Sequence, residues 1–177
     1  AGDFVVATAG PDLESVISGK GAGTDKISKS NNTVAANVDI GGGTSNISVF
    51  KRGNCIDTGC LDIGGRLIKI DDNKRITYIA PKIEEIIKKE NLDIKLGNEI
   101  TIEKLKPIIN IMVSTLESTF LTDSNGKYLD FIKTNKTIAK NDEIKYITFS
   151  GGVAEYIYYE GRIDDWFKYG DIGIILG

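Results

Sequence analysis

The residue pattern best suited to chemistry is a glycine triplet between two apolar runs, in the segment DIGGGTS at residues 39–45. Consecutive glycines let the backbone adopt positive φ angles, and their N–H groups can form a concave site for phosphate oxygens. Asp39 could hold a Mg²⁺ ion or orient a water molecule, and nearby hydroxyls could add donors. A glycine triplet alone favours an unliganded hairpin turn, but the flanking aspartate and hydroxyls favour a phosphate site. Its candidate ligands are Gly41, Gly42, Gly43, Thr44 and Ser45.

Two further glycine motifs could line the same cleft. FSGGV at residues 149–153 puts a glycine pair between a strand and a helix, where a flat ring or a ribose could lie against the backbone. This pattern is common in α/β proteins. GCLDIGGR at residues 59–66 could form a second loop, with Arg66 facing an anion or an acidic partner. A bulge and turn that closes a meander explains the segment equally simply.

A fourth motif, GKGAGT at residues 19–24, superficially resembles a nucleotide-binding P-loop. Lys20 is followed by glycine instead of Ser or Thr, and no strand precedes the segment at the required spacing. We therefore reject a P-loop and interpret the segment as a glycine-rich hinge or a crossing between domains. Cys60 is interpreted as a small buried apolar residue, because the chain has no histidine to activate its thiol.

Composition narrows the remaining classes of function. The chain has 177 residues, 41% hydrophobic and 27% charged, as in a globular protein of one or two domains. A net charge of -3 provides no pull toward nucleic acid or anionic lipid. The absence of histidine excludes Ser-His-Asp catalysis, and two cysteines are too few for a disulfide framework. Without a long apolar run or an export signal, the sequence predicts a cytoplasmic protein that binds neither nucleic acid nor membrane.

Apolar periodicity predicts that strands and helices alternate along the chain. A strand at residues 4–8 precedes a helix whose apolar face holds Leu13, Val16 and Ile17. The polar stretch at residues 24–33 is interpreted as a loop. Three strands around tight turns then form an antiparallel meander, and two shorter strands follow it. Their predicted ranges are 34–40, 45–50, 55–63, 67–70 and 76–79.

Two longer helices are predicted in the middle of the chain. Pro81 opens the first helix, and Thr101 caps a short turn ahead of a second helix that begins at Pro107. Two polar loops, a strand and a final helix are predicted at residues 122–127, 134–143, 145–149 and 153–159, respectively. Strands that alternate with helices and end in glycine turns indicate an α/β fold.

Taken together, the glycine motifs resemble those of the actin-like ATPase superfamily. VDIGGGTSNISVF looks like its second phosphate loop and FSGGV looks like its adenosine loop, in the same order along the chain. A finer resemblance is to the family of reactivating factors of ethanolamine ammonia-lyase. It rests on AGPDLESVISGKGAGT, NVDIGGGTSNISVF, TGCLDIGGRLI and TFSGGVAEYIY, which together span most of the chain.

The resemblance implies an actin-like, ribonuclease H-like half-domain, which is an α/β fold with a mixed sheet, an antiparallel meander and flanking helices. This half-domain would occupy residues 34–177 with a helical insertion around 81–143. Residues 1–33 would hold a strand, a helix, the glycine-rich crossing and a polar loop. ATP or ADP would bind with its phosphates on the glycine triplet, and Asp39 would act as the Mg²⁺ ligand and catalytic residue. The adenosine would lie beside Gly151, Gly152 and Val153.

One departure concerns the superfamily's first phosphate loop, an Asp-x-Gly-Thr/Ser hairpin. No such hairpin is found, because DIGI at residues 171–174 lacks the hydroxyl and comes last. The chain opens with Ala1 and Gly2, and we interpret it as a fragment with an incomplete nucleotide site. We expect the fragment to bind ATP weakly or not at all and to be inactive, and the intact protein to hydrolyse ATP slowly.

The family resemblance also implies an ATP-dependent, chaperone-like role in ethanolamine utilisation. Such a factor releases damaged cobalamin from the adenosylcobalamin-dependent lyase, so its ATP- and ADP-bound states must contact that partner differently. The resemblance implies a bacterial protein of the cytoplasm, associated with a microcompartment, and leaves a homo-oligomer open. Three other actin-like functions also stay open: a reactivator of diol or glycerol dehydratase, a filament-forming protein and a small-molecule kinase.

Overall fold

A computed structural model of the chain describes residues 10–121, 126–139 and 144–177. The strand predicted at residues 4–8 lies outside the described residues, as do parts of both predicted polar loops. The described helices are α1 (Pro11–Gly21), α2 (Thr24–Ser30), α3 (Pro81–Lys89), α4 (Ile102–Glu117), α5 (Leu129–Ile132), α6 (Ala154–Ile157) and α7 (Gly173–Leu176). The described strands are β1 (Val34–Ile40), β2 (Ser45–Lys51), β3 (Asn54–Leu61), β4 (Ile68–Ile70), β5 (Ile76–Ile79) and β6 (Ile144–Ser150).

These strands form a four-stranded sheet in the order β3-β2-β1-β6 and a small hairpin of β4 and β5. β1, β2 and β3 pair antiparallel, which confirms the predicted meander, whereas β6 pairs parallel with β1. A parallel neighbour needs a long crossover, and the segment that contains β4, β5, α3 and α4 provides it. The fold is therefore α/β with a mixed sheet and flanking helices, as predicted.

The four-stranded sheet is covered on both faces, so nearly every residue of β1 and β2 is buried. One face packs on the main core, where Val38 and Ile47 share a cluster with Ile86 of α3 and Ile108 of α4. α1 and α2 contact β1 and β2 from the other face. Because side chains alternate along a strand, this second face holds the residues between the core positions.

The apolar face predicted for α1 is not the face that the helix buries. Leu13 and Ile17 are 54% and 58% exposed, whereas Ser15 and Gly19 are buried. A Cβ on Gly19 would lie 2.5 Å from the ring of Phe50, so only a glycine lets the helix approach the sheet this closely. The predicted orientation is wrong because Phe50 already fills the space that an apolar helix face would need.

The predicted polar loop at residues 24–33 is also wrong, because its first seven residues form α2. Gly23 precedes this helix with a φ of 77°, a conformation that glycine adopts without strain. The helix buries hydroxyl groups on the sheet: the Oγ1 atoms of Thr24 and Thr148 are 2.6 Å apart. Thr24 and Ser28 are buried, whereas Lys26, Lys29 and Ser30 are exposed, so the polar segment is a helix with one buried hydroxyl-bearing side and one solvated side.

The predicted break at Pro107 is wrong as well, since α4 runs through this residue. Thr101 is the N-cap, as predicted, and its hydroxyl accepts from the backbone N–H of Lys104. Complete burial of Leu105 and Ile108 offsets the backbone hydrogen bond that proline cannot form. The helix predicted over residues 153–159 is shorter, and only α6 forms. Within the described ranges, no helix combines the length and the apolar character needed to cross a membrane.

Candidate functional site

Three glycine loops meet at one edge of the four-stranded sheet. β1 and β6 end there because they run parallel, β2 begins there because it returns antiparallel from β1, and β3 ends there again. The loops are residues 41–44 between β1 and β2, residues 62–67 after β3, and residues 151–153 after β6. The topology thus brings together the three segments that the sequence singled out.

The tripeptide Asp-Ile-Gly occurs at three of the segments around this edge, beginning at residues 39, 62 and 171. Its isoleucines, Ile40, Ile63 and Ile172, are all buried, so each anchors its segment in the core. The glycine that follows each isoleucine can approach a neighbouring backbone closely. The segment at 171–173 runs beside the second loop, where the Ile172 N–H donates to the Gly65 carbonyl at 3.0 Å.

Backbone hydrogen bonds join the first loop to the second. Gly65 donates its N–H to the Gly41 carbonyl at 3.0 Å, and Arg66 donates its N–H to the Gly42 carbonyl at 2.6 Å. A Cβ on Gly64 would lie 2.5 Å from the Gly42 carbonyl oxygen, a distance that real Cβ atoms do not adopt. Glycine at position 64 is therefore a requirement of the contact between the loops.

The third loop is held against the end of β1. Gly151 has a φ of 87°, and a Cβ there would lie 2.5 Å from the Ile40 carbonyl oxygen and equally close to Asp39 Oδ1. The Val153 N–H donates to the same Ile40 carbonyl at 3.3 Å. Gly151 thus serves this close approach, and the next residue, Gly152, has no heavy atom within 4 Å of where a Cβ would lie.

A cleft of about 460 Å³ lies between these loops. Its lining residues are Gly41, Gly42, Gly65, Arg66, Gly152, Val153, Tyr156, Tyr169, Asp171, Gly173 and Ile174. Within the described part of the chain, the backbone N–H groups of Gly42 and Gly43 donate to no other group. Unpaired N–H groups on a glycine turn are the donors that a phosphate group needs.

The predicted phosphate and adenosine residues occupy different positions around the cleft. Gly41, Gly42, Gly152 and Val153 line it. Gly43 is exposed at the tip of the β1–β2 hairpin. The Thr44 carbonyl accepts from the Gly41 N–H at 2.9 Å and closes the turn. Ser45 is buried and donates its hydroxyl to the Ile63 carbonyl at 2.8 Å, so this hydroxyl contacts the second loop and not the cleft.

Asp39 lies at the end of β1, opposite Ser150 of β6, and its side chain is partly buried beside Gly151. It does not line the cleft itself. Among the described residues, no cluster of three or more His, Cys, Asp or Glu side chains could hold a metal ion. A cation at Asp39 would therefore draw its other ligands from water or from a bound phosphate.

Asp171 is a cleft residue that the sequence reasoning missed. Its side chain is 11% exposed, one oxygen accepts from the Gly173 N–H at 2.9 Å, and the other lies 3.7 Å from the Nε atom of Arg66. DIGI at residues 171–174 does not match the first phosphate loop of the superfamily, because it lacks the hydroxyl residue and comes last. The signal that could have found it is the threefold recurrence of Asp-Ile-Gly, since two copies already belonged to candidate loops.

Two tyrosines form the aromatic wall of the cleft. The ring centroids of Tyr156 and Tyr169 are 6.3 Å apart in an edge-to-face arrangement. A hydrogen bond with Tyr169 raises the pKa of the Tyr156 hydroxyl to about 12. The two rings offer an apolar surface on which a flat ring can rest.

Cys60 is buried at the end of β3, as the sequence analysis predicted. Desolvation by burial raises the pKa of its thiol above the ordinary value. A raised pKa reduces the thiolate fraction at neutral pH, so Cys60 is unsuited to act as a nucleophile.

The fold and the cleft define this chain as an α/β protein with a glycine-lined site at the edge of a mixed sheet. Over residues 1–177 the chain matches the model of a protein family described as ethanolamine utilisation protein EutA. The chain belongs to this family, in agreement with the resemblance found in the sequence.

Two curated relatives carry the name ethanolamine ammonia-lyase reactivase EutA. The relative from Salmonella typhimurium is 34% identical over 175 residues, and the relative from Escherichia coli is 34% identical over 180 residues. Each alignment covers 99% of this chain and 37% of the relative. The chain therefore spans little more than a third of the length of the curated relatives that it matches.

Proposed function

We propose that this chain forms the second-phosphate and adenosine side of an actin-like nucleotide site, in an ATP-dependent factor that reactivates ethanolamine ammonia-lyase. The observation that carries the proposal is the meeting of three glycine loops around one cleft at the edge of the sheet. Membership of the EutA family and the names of the two relatives support the choice of the lyase as partner.

The nucleotide assignment is supported by the groups in and beside the cleft. The unpaired N–H groups of Gly42, which lines the cleft, and of Gly43, at the adjoining hairpin tip, are suited to phosphate oxygens, and the empty space above Gly152 is suited to a ribose or a base. Tyr156 and Tyr169 present an aromatic wall. In this proposal the phosphates lie on residues 41–44 and the adenosine lies along residues 151–153.

The donor set at Asp39 fits Mg²⁺, which commonly takes one or two protein carboxylates and completes its shell with phosphate oxygens and water. When bound, Mg²⁺ neutralises phosphate charge. Asp39 would hold this cation or orient a water molecule from the end of β1. Gly151 leaves room for the carboxylate, because a Cβ at this position would lie 2.5 Å from Asp39 Oδ1.

The reactivating role requires that ATP- and ADP-bound states differ in their contact with the lyase. The loops around the cleft belong to separate elements joined by backbone contacts, so a change at the phosphates can move one loop relative to another. We propose slow hydrolysis that switches the grip on the lyase, so that damaged cobalamin leaves and adenosylcobalamin enters. We further propose that the protein acts in the cytoplasm with its lyase, at a bacterial microcompartment.

The test uses the full-length protein and ethanolamine ammonia-lyase that is locked by an inactive cobalamin. Adenosylcobalamin and Mg²⁺ are added with ATP, with a non-hydrolysable ATP analogue or without nucleotide, and lyase activity is followed over time. Recovery of lyase activity with ATP, but not with the analogue or without nucleotide, supports a reactivating ATPase. Failure to recover, with nucleotide still bound to the protein, would contradict the lyase as partner and leave the nucleotide site standing.

A further inference from the structure

We propose that Arg66 binds the phosphates of the nucleotide and that Asp171 is its resting partner when no nucleotide is present. This inference rests on the proposed function, because it assigns a ligand within the same cleft. Among the residues that line the cleft, Arg66 carries the positive charge. A polyphosphate group would otherwise meet backbone N–H groups beside the carboxylate of Asp171.

The stem of Arg66 is fixed against the phosphate loop. Its backbone N–H donates to the Gly42 carbonyl at 2.6 Å. Its Cδ and Cγ atoms lie 3.0 Å and 3.3 Å from the position where a Cβ on Gly42 would be. The side chain therefore starts beside the loop whose N–H groups are unpaired, and a short movement of its end reaches a ligand on that loop.

The guanidinium group itself is available for a ligand. The side chain is 73% exposed, and its Nε atom lies 3.7 Å from Asp171 Oδ2, which is too far for a hydrogen bond. Within the described residues the guanidinium donates no hydrogen bond. Because the Arg66 side chain is largely exposed, a pair at this distance gives only a small stabilisation, so the contact holds Arg66 near the cleft without committing its donors.

Asp171 differs from Arg66 because it is held in place. Its side chain is 11% exposed, and its Oδ1 atom accepts from the Gly173 N–H at 2.9 Å. When Arg66 turns toward a ligand, Asp171 keeps this hydrogen bond and its position. A phosphate group can accept two hydrogen bonds from the planar fork of Arg66, whereas Asp171 has one oxygen bound to the Gly173 N–H and the other 3.7 Å from Nε, so phosphate displaces the carboxylate.

The test measures equilibrium binding of ATP, ADP and adenosine to the full-length protein in the presence of Mg²⁺. We expect Arg66→Met to weaken ATP binding by about 10-fold to 100-fold, as for the loss of hydrogen bonds to a charged group, and to leave adenosine binding unchanged. Arg66→Lys is expected to restore part of the ATP affinity. The control is Arg52→Met, which removes the same charge at the opposite end of β2 and should bind all three ligands like the wild type.

A second pair of variants tests the role of Asp171. Asp171→Asn is expected to tighten ATP binding more in the wild-type background, where it also frees Arg66, than in the Arg66→Met background, where it removes only the repulsion between Asp171 and the phosphates. An equal gain in both backgrounds would overturn the pairing. Equal ATP affinity in the wild-type and Arg66→Met proteins would overturn the role of Arg66 but leave the nucleotide site standing. A wild-type protein that binds no nucleotide would overturn both this inference and the nucleotide site.

Discussion

Gly64 and Gly42 are in backbone contact, with the Gly42 carbonyl oxygen, the Gly42 carbonyl carbon and the Gly43 nitrogen at 2.5, 2.6 and 2.7 Å from where a Gly64 side chain would begin. This contact joins the loop after β3 to the loop between β1 and β2. Because all three neighbours are backbone atoms, a side chain at position 64 could be accommodated only if the two loops moved apart.

Gly64→Ala is therefore expected to destabilise the protein by about 1–3 kcal/mol, the usual cost of overpacking a buried site. The free energy of unfolding is measured by denaturant titration of the full-length protein. Gly21→Ala is the control, since a Cβ at the end of α1 meets no heavy atom within 4 Å and should be neutral or slightly stabilising. Equal stability of the two variants would show that the loops separate without cost.

Asp39→Asn is expected to abolish ATP-dependent reactivation of the lyase while the fold stays intact. The amide keeps the size of the side chain but loses the charge that would hold Mg²⁺ or orient water. Reactivation and thermal unfolding are measured together, and Asp164→Asn, a change at a carboxylate that is 86% exposed, is the control. Undiminished reactivation by the Asp39 variant would remove this residue from the mechanism.

Gly152→Leu is expected to impair nucleotide binding without lowering stability. No heavy atom lies within 4 Å of the Cβ position, so the new side chain fits the folded structure but projects into the cleft. ATP binding and thermal unfolding are compared with those of Gly21→Leu, whose Cβ position is equally open but lies on α1. Normal ATP affinity in the Gly152 variant would place the nucleotide elsewhere.

Lys82→Met is expected to cost about 1 kcal/mol of stability, the upper range for a partly exposed ion pair. The Lys82 Nζ atom lies 2.5 Å from Asp62 Oδ2, and the other oxygen of Asp62 accepts from the Thr134 hydroxyl at 2.9 Å. This network ties the second glycine loop to residues 133–134. Lys104→Met is the control, because its partner Asp93 is 67% exposed and the loss should be smaller. A double-mutant cycle with Asp62→Asn measures the coupling.

Stability at acid pH is expected to depend on Glu90. Hydrogen bonds from Lys127 and Tyr128 hold the pKa of its carboxyl below the ordinary value of 4.5. A depressed pKa in the folded state means that the stabilisation is present above pH 4.5 and is lost as the pH falls through the folded pKa. The Glu90→Gln variant should therefore lose less stability than the wild type as the pH falls below 4.5. Thermal unfolding at a series of pH values measures this difference. Glu85→Gln, at an exposed position of α3, should leave the acid profile unchanged.

The sequence was sufficient for the meander and for the glycine loops because these features are local. Alternating apolar runs around the glycine triplet predicted β1 and β2 within a residue of their observed ends. The orientation of α1 was not predictable in this way. The side of α1 that is buried depends on Phe50, which is distant in the sequence. The need for glycine at position 19 becomes clear only in the structure, where the Phe50 ring lies against it.

The tripeptide Asp-Ile-Gly shows which features of this chain follow from the local sequence and which require the tertiary structure. Each copy is visible in the sequence and each isoleucine is buried, but only Ile40 lies in a strand, where alternation places it in the core. The copies at residues 39 and 62 meet through the antiparallel pairing of β1, β2 and β3, and only the return of residues 171–173 to the second loop brings the third copy to them. The residue type determines the chemistry of each side chain, and the sequence shows it directly. The cleft, however, forms because backbone segments that are far apart in the chain approach one another. Such long-range contacts depend on the packing of the whole fold.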